Sequence, residues 1–126
     1  MKQVTIKRSQ WQRGGDGANH KRFNIHSTSL WDTNTKCGCC LGHVLHQAHR
    51  VMYLRMNGIH SPEQLANHLA RKNPLVEGNL YDGYAEKRLA SEAMKINDSH
   101  LITDSERENR LRSLFKKNGY ELTFVD

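Results

Sequence analysis

The stretch Lys36-Cys37-Gly38-Cys39-Cys40-Leu41-Gly42 runs directly into His43-Val44-Leu45-His46-Gln47-Ala48-His49, and its reading decides what kind of fold the chain builds. All three cysteines fall within four positions, and three histidines follow at helical spacing. Cys37 and Cys40 form a C-x-x-C pair, the separation at which two thiolates reach one tetrahedral zinc ion. His43 and His46, on successive turns, would complete a Cys2His2 set. The same residues also describe a packed helix start, because free cysteine is among the residue types most often buried. The packed start is preferred, since compact zinc sites draw their second ligand pair from a separate element and here one helix would supply both. Thiol redox chemistry needs C-x-x-C at a helix N-terminus within a βαβ frame, and that frame is missing. A cysteine nucleophile, Cys39 or Cys40, with a histidine base is a further reading that sequence proximity does not support.

Outward from this stretch, the helix it opens is expected from about Leu41 to Asn57. Leu41, Val44, Leu45, Ala48, Val51, Met52 and Arg55 trace a stripe of period 3.6, and Gly58 suits the C′ position. Ser61-Pro62-Glu63-Gln64 starts another helix, with Ser61 as cap and Pro62 at the first helical position. Residues 73–84 read as a loop, and a helix follows from about Tyr84 to Ile96, stopped by Asn97-Asp98-Ser99. The last helix has the clearest start. Thr103 caps it, Glu106 sits three positions on, acidic residues load its first turns, and Lys116 and Lys117 lie in its last. Leu111, Leu114 and Phe115 face inward, and Gly119 ends it.

Toward the termini the period changes to two. Val4 and Ile6 alternate with polar residues over 2–8, Leu122 and Phe124 do so over Tyr120–Val125, and residues 22–31 hold one or two short strands. Arg13-Gly14-Gly15-Asp16-Gly17 is a glycine loop without the strand–helix frame of a phosphate cradle. The expected architecture is one α+β domain over 1–126: a small antiparallel sheet from the N-terminal strand, the 22–31 strands and the C-terminal strand, with three or four helices packed on it.

A chain of 126 residues with 37% hydrophobic and 25% charged residues suits a single polar globular domain. It has no apolar run of membrane-spanning length and no signal-peptide pattern. The odd, clustered cysteines suit a reducing compartment, so a cytoplasmic protein is expected. Charge is one-sided. Residues 1–60 carry nine Lys and Arg against two Asp, a net +7, while residues 61–126 carry ten against eleven acidic residues, a net −1. A one-sided field points to an anionic partner, with a merely solvated face as the bland alternative.

Four short blocks in order resemble a group of small phage and prophage proteins that carry no established activity: W-x-R-G (Trp11-Gln12-Arg13-Gly14), C-C-L-G (Cys39-Cys40-Leu41-Gly42), I-N-D (Ile96-Asn97-Asp98) and R-E-x-x-L (Arg107-Glu108, Leu111), the last leading to Phe124-Val125. The extra Cys37, and His43, His46 and His49 after C-C-L-G, depart from that pattern. The resemblance implies a phage origin, an accessory role in an infected host cell, and a packed helix start rather than a zinc site.

The functional expectation is a non-catalytic binder that sequesters an anionic target in host interaction or counter-defence: a nucleotide immune signal, or a nucleic-acid-associated host complex. Trp11, Arg13, Lys21 and Arg22 would supply stacking and charge, and Asn97 and Asp98 would read polar groups. No cofactor is favoured; zinc on Cys37, Cys40, His43 and His46 is the alternative. A homo-oligomer forming pockets between chains is compatible with this. Two further readings stand beside it: a metal-assisted nuclease or phosphodiesterase using His43, His46 and Asp98, and a DNA- or RNA-binding regulator, for which the helix pair 41–57 and 61–72 would be the helix-turn-helix.

Overall fold

The computed structural model describes residues 1–14, 28–60 and 85–126. Strand β1 (Lys2–Lys7) leads into a single 3-10 turn at Arg8–Gln10. Helix α1 (Cys40–His49), the short α2 (Tyr53–Met56), α3 (Ala85–Asp98) and α4 (Asp104–Lys117) follow, and strand β2 (Tyr120–Val125) closes the described chain. The 22–27 part of the strands expected within 22–31, the helix after Ser61, the 73–84 loop and most of the glycine loop lie outside the described residues.

The sheet corrects one expectation. β1 and β2 pair in parallel, not antiparallel, with Val4 beside Leu122 and Ile6 beside Phe124. An antiparallel pair suits strands joined by a hairpin, whereas a parallel pair needs a long crossover. Here everything from Arg8 to Gly119 forms that crossover. Gly119, at φ +89°, turns the chain back along α4, and its carbonyl accepts the Lys2 N–H at 3.0 Å, which sets the register. Residues 28–31 join no ladder among the described residues; Trp31 makes only an isolated bridge to Asn57.

The alternation read from sequence places Val4, Ile6, Tyr120, Leu122 and Phe124 inward, where they meet Trp11, Leu30, Leu41, Leu45, Leu111 and Phe115. The outer edge of β1 is closed by a side chain. The Gln47 amide accepts the Thr5 N–H (2.8 Å) and donates to the Thr5 carbonyl (2.7 Å), taking the part of a third strand at that position.

The first helix is shorter than its apolar stripe suggested. It stops at Arg50, which caps it in the left-handed region at φ 57°, and the chain restarts as α2 after Met52. Leu41, Val44, Leu45 and Val51 are buried as expected, but the break turns Met52 and Arg55 outward. The last helix follows its sequence signals: Thr103 Oγ1 accepts the Glu106 N–H at 3.2 Å, and Leu111 and Phe115 are fully buried.

Candidate functional site

Asn97 has no exposed surface. Its side-chain oxygen accepts from the Trp11 indole N–H (2.8 Å) and the Cys40 backbone N–H (3.0 Å). Its side-chain nitrogen faces the Gln12 carbonyl (3.0 Å), Thr28 Oγ1 (3.2 Å) and Asp98 Oδ1 (3.0 Å). Cys39, the N-cap of α1, makes no side-chain cap bond, so Asn97 satisfies an open donor at that helix start from another element. One amide thus fastens the segment after β1, the start of α1 and the end of α3.

The carbonyls at this same end of α3 are served by Arg107. This fully buried guanidinium donates to the carbonyls of Ile96 (2.8 Å), Asn97 (3.1 Å), Ser99 (2.8 Å) and Ile102 (3.1 Å), and pairs with Asp104 at 3.3 Å. Those of Ile96 and Asn97 belong to the last turn of α3, where a cation is the favoured partner, and those of Ser99 and Ile102 to the loop that follows. Desolvation pulls the Arg107 pKa down and Asp104 opposes it. Arg13 pairs with Asp104 at 3.1 Å, donates to the carbonyls of Arg8 and Trp11, and lies 4.6 Å from the Trp11 ring centroid. Arg8 forks onto the two oxygens of Glu108 at 2.8 and 2.9 Å and reaches Asp126.

Backbone packing at this junction leaves no room for side chains. A Cβ on Gly14 would stand 2.2 Å from the Asp98 carbonyl oxygen, and one on Gly42 would stand 1.8 Å from that of Leu30. The four sequence blocks, far apart in the chain, therefore meet at one joint.

The thiols belong to the same joint. Cys37, Cys39 and Cys40 are buried and free of disulfides. Cys37 Sγ lies 3.4 and 3.3 Å from the carbonyls of Ser9 and Thr35. Burial pushes Cys39 up to about 12 and Cys40 well above its usual range, so thiolate is not populated near neutral pH and neither is poised as a nucleophile. His43 is buried with Nε2 donating to the Gln10 carbonyl at 2.8 Å, and burial lowers its pKa. His46 Nδ1 donates to the Val51 carbonyl at 2.8 Å, and His49 Nε2 meets the Tyr120 hydroxyl at 2.6 Å. The three histidines thus go to three separate partners. Among the described residues, no three His, Cys, Asp or Glu side chains gather as a set of metal ligands.

Of the binding residues expected from sequence, Trp11 and Asn97 are fully buried, Asp98 is half-buried and accepts from Thr28 at 2.7 Å, and Arg13 is bonded as above; Lys21 and Arg22 lie outside the described residues. Trp11, Arg13, Asn97 and Asp98 do come together, as parts of the joint. Sequence reasoning missed Gln12, Thr28 and Arg107. A basic residue a few positions into a helix that follows a polar helix stop was the available signal for Arg107. Gln12, whose Oε1 accepts from the N–H and hydroxyl of Ser29, carried none.

A second cluster lies at the corner of α1 and α2. The rings of Trp31, Tyr53 and His46 stack in that order, with centroids 3.7 Å apart at each step, and the Trp31 ring meets His43 edge-on at 5.9 Å. No family model, no curated protein and no solved structure matches this chain. No helix among the described residues is long and apolar enough to cross a membrane.

Proposed function

We propose that the chain is a non-catalytic accessory protein that binds and holds an anionic target through the surface of its front half. The observation that carries this reading is where the cations go. The described residues up to His60 hold seven Lys and Arg and one carboxylate, Asp32. Arg8 and Arg13 are committed to carboxylates of the C-terminal segment. Lys2, Lys7, Lys36 and Arg50 are exposed and set a positive surface. The neutral, buried thiols and His43 support a structural use for the groups that would otherwise suggest catalysis. Under this reading Asn97 and Trp11 frame the binding surface rather than touch the target.

The resemblance of the four blocks to small phage and prophage proteins supports a setting in an infected cell, where a nucleotide signal or an acidic host complex is the target class. Titration calorimetry against cyclic and linear nucleotides, single-stranded DNA and acidic polypeptides tests the reading. Binding to at least one of them, weakening as salt rises, is expected. Absence of heat with all of them at low salt overturns it.

A further inference from the structure

We infer that the end of the molecule around Tyr120 is a binding site for a phosphate chain, carried by a nucleotide or present as inorganic polyphosphate; this rests on the anionic-target reading and names the anion and its place. Three segments far apart in the chain meet at the Tyr120 ring. From β1, Lys2 donates its backbone N–H to the Gly119 carbonyl (3.0 Å) and holds its ammonium 5.8 Å from the ring centroid. From the end of α1, His49 Nε2 meets the Tyr120 hydroxyl at 2.6 Å, and Arg50 is the next residue. From the end of α4, Phe115 meets the ring edge-on at 5.8 Å. Lys116 and Lys117 follow it, and the Lys116 carbonyl accepts the Gly119 N–H at 3.2 Å. Burial first and the Lys2 charge second lower the His49 pKa, which puts that ammonium within electrostatic reach of the imidazole.

Lys2, Arg50, Lys116 and Lys117 are exposed and make no ion pair among the described residues. The stretches that supply them, 1–4, 43–56 and 109–120, contain no Asp or Glu. Glu121 is turned to the other face of the sheet by the pleat, where it accepts from the Gln3 amide at 3.0 Å. Both α1 and α4 end at this corner, and a helix C-terminus attracts cations. Each such end carries only about half an elementary charge, so the two ends offset about one of the four cations. Lys2 belongs to neither helix. Tyr120 is 8% exposed and packed among Phe115, His49 and Lys2, so no base can stack on it. Recognition therefore falls to charge. Lysine ammonium groups are compact charges on flexible stems, which suits the crowded oxygens of a phosphate chain.

Titration calorimetry at low salt with inorganic tripolyphosphate, ATP, GTP and polyglutamate tests this. The three phosphate probes are expected to bind within about threefold of one another, because the base is not read. The double variant Lys2→Ser, Lys117→Ser removes one cation from each of two segments and is expected to bind tripolyphosphate about tenfold more weakly. The variant Lys7→Ser, Lys36→Asn removes the same net charge elsewhere on the positive surface and is expected to bind as the unaltered protein does. All four side chains are exposed, so both variants should melt close to the unaltered protein. Independently of any variant, the ring proton resonances of His49 and Tyr120 should shift as tripolyphosphate is added. Equal losses in the two double variants, ring signals that stay still at saturation, or binding of polyglutamate without tripolyphosphate overturns this site and leaves the anionic-target reading standing. Absence of heat with all four probes overturns both.

Discussion

The Trp11 indole and the Asn97 side chain, 86 positions apart in the chain, are joined by a buried 2.8 Å hydrogen bond, and the same Asn97 oxygen takes the first free N–H of α1. Asparagine is the residue the position demands. It must accept twice on one atom and donate on the other, and aspartate supplies no donor for the Gln12 carbonyl. Asn97→Asp buries a charge against that carbonyl and is expected to cost roughly 3 kcal/mol or more in urea unfolding. Trp11→Phe keeps most of the packing against Phe124 and leaves the Asn97 oxygen with its Cys40 partner. The lost hydrogen bond costs about 1 kcal/mol, and the void left by the smaller ring at this fully buried site adds roughly 1 kcal/mol more. Comparable losses for the two variants would mean that the amide is not the fastening point.

Two glycines separate close packing from backbone conformation. Gly42 has an ordinary helical place but faces the Leu30 carbonyl, so Gly42→Ala must push backbone apart and is expected to cost at least about 2 kcal/mol. Gly58 sits at φ +73° with nothing within 4 Å of its missing Cβ, so Gly58→Ala carries only conformational strain of about 1 kcal/mol. Chemical unfolding of the two variants side by side should show the larger shift for Gly42.

Stability should fall on both sides of neutrality, for different groups. Burial lowers the folded pKa of His43 and of His49 below the usual 6.5, so as pH drops through that value the unfolded chain takes up protons that the folded chain refuses, and stability is lost. Burial raises Cys39 from 9.0 to about 12 and Cys40 also upward, so above about pH 9 the unfolded thiols ionise first and stability is lost again. Melting temperature against pH should show both declines. Replacing Cys39 with Ala should flatten the alkaline limb, and an unchanged limb would assign that loss to other groups. In the folded protein near neutral pH, a thiol reagent such as dithionitrobenzoate should titrate the cysteines only at the rate of unfolding.

The parts of this fold legible in sequence are those fixed by neighbours along the chain. Thr103 and Glu106 announce their own helix start, and the alternation of Val4, Ile6, Leu122 and Phe124 gives the buried face of both strands. Strand direction was not legible, because β1 and β2 are separated by more than a hundred residues and no local turn fixes their relative direction. Arg50 ends α1 where the sequence offers Gly58 instead; an arginine in the left-handed region has no local signature. The partners of the Cys/His cluster were not legible for a related reason. Cys37, Cys40, His43 and His46 are close in sequence, yet each turns to a different carbonyl, supplied by Ser9 and Thr35, Ala93, Gln10 and Val51. The four blocks are visible as words, but that they meet around Asn97 depends on contacts spanning most of the chain.

Arg50 itself offers the sharpest separation of stability from binding. Its φ of 57° is a conformation in which an L-residue with a Cβ is strained and glycine is not. Its backbone N–H closes α1 onto the Leu45 carbonyl, a bond that glycine retains. Arg50→Gly should therefore raise the unfolding free energy by about 0.5–1 kcal/mol, read as a higher urea midpoint at unchanged slope. The same substitution removes one exposed cation from the positive surface, so affinity for an anionic target should drop while the fold becomes more stable. A variant that loses stability would show that the arginine side chain anchors the helix end. A stabilised variant that binds undiminished would show that the partner's charge is met by Lys2, Lys7 or Lys36 instead.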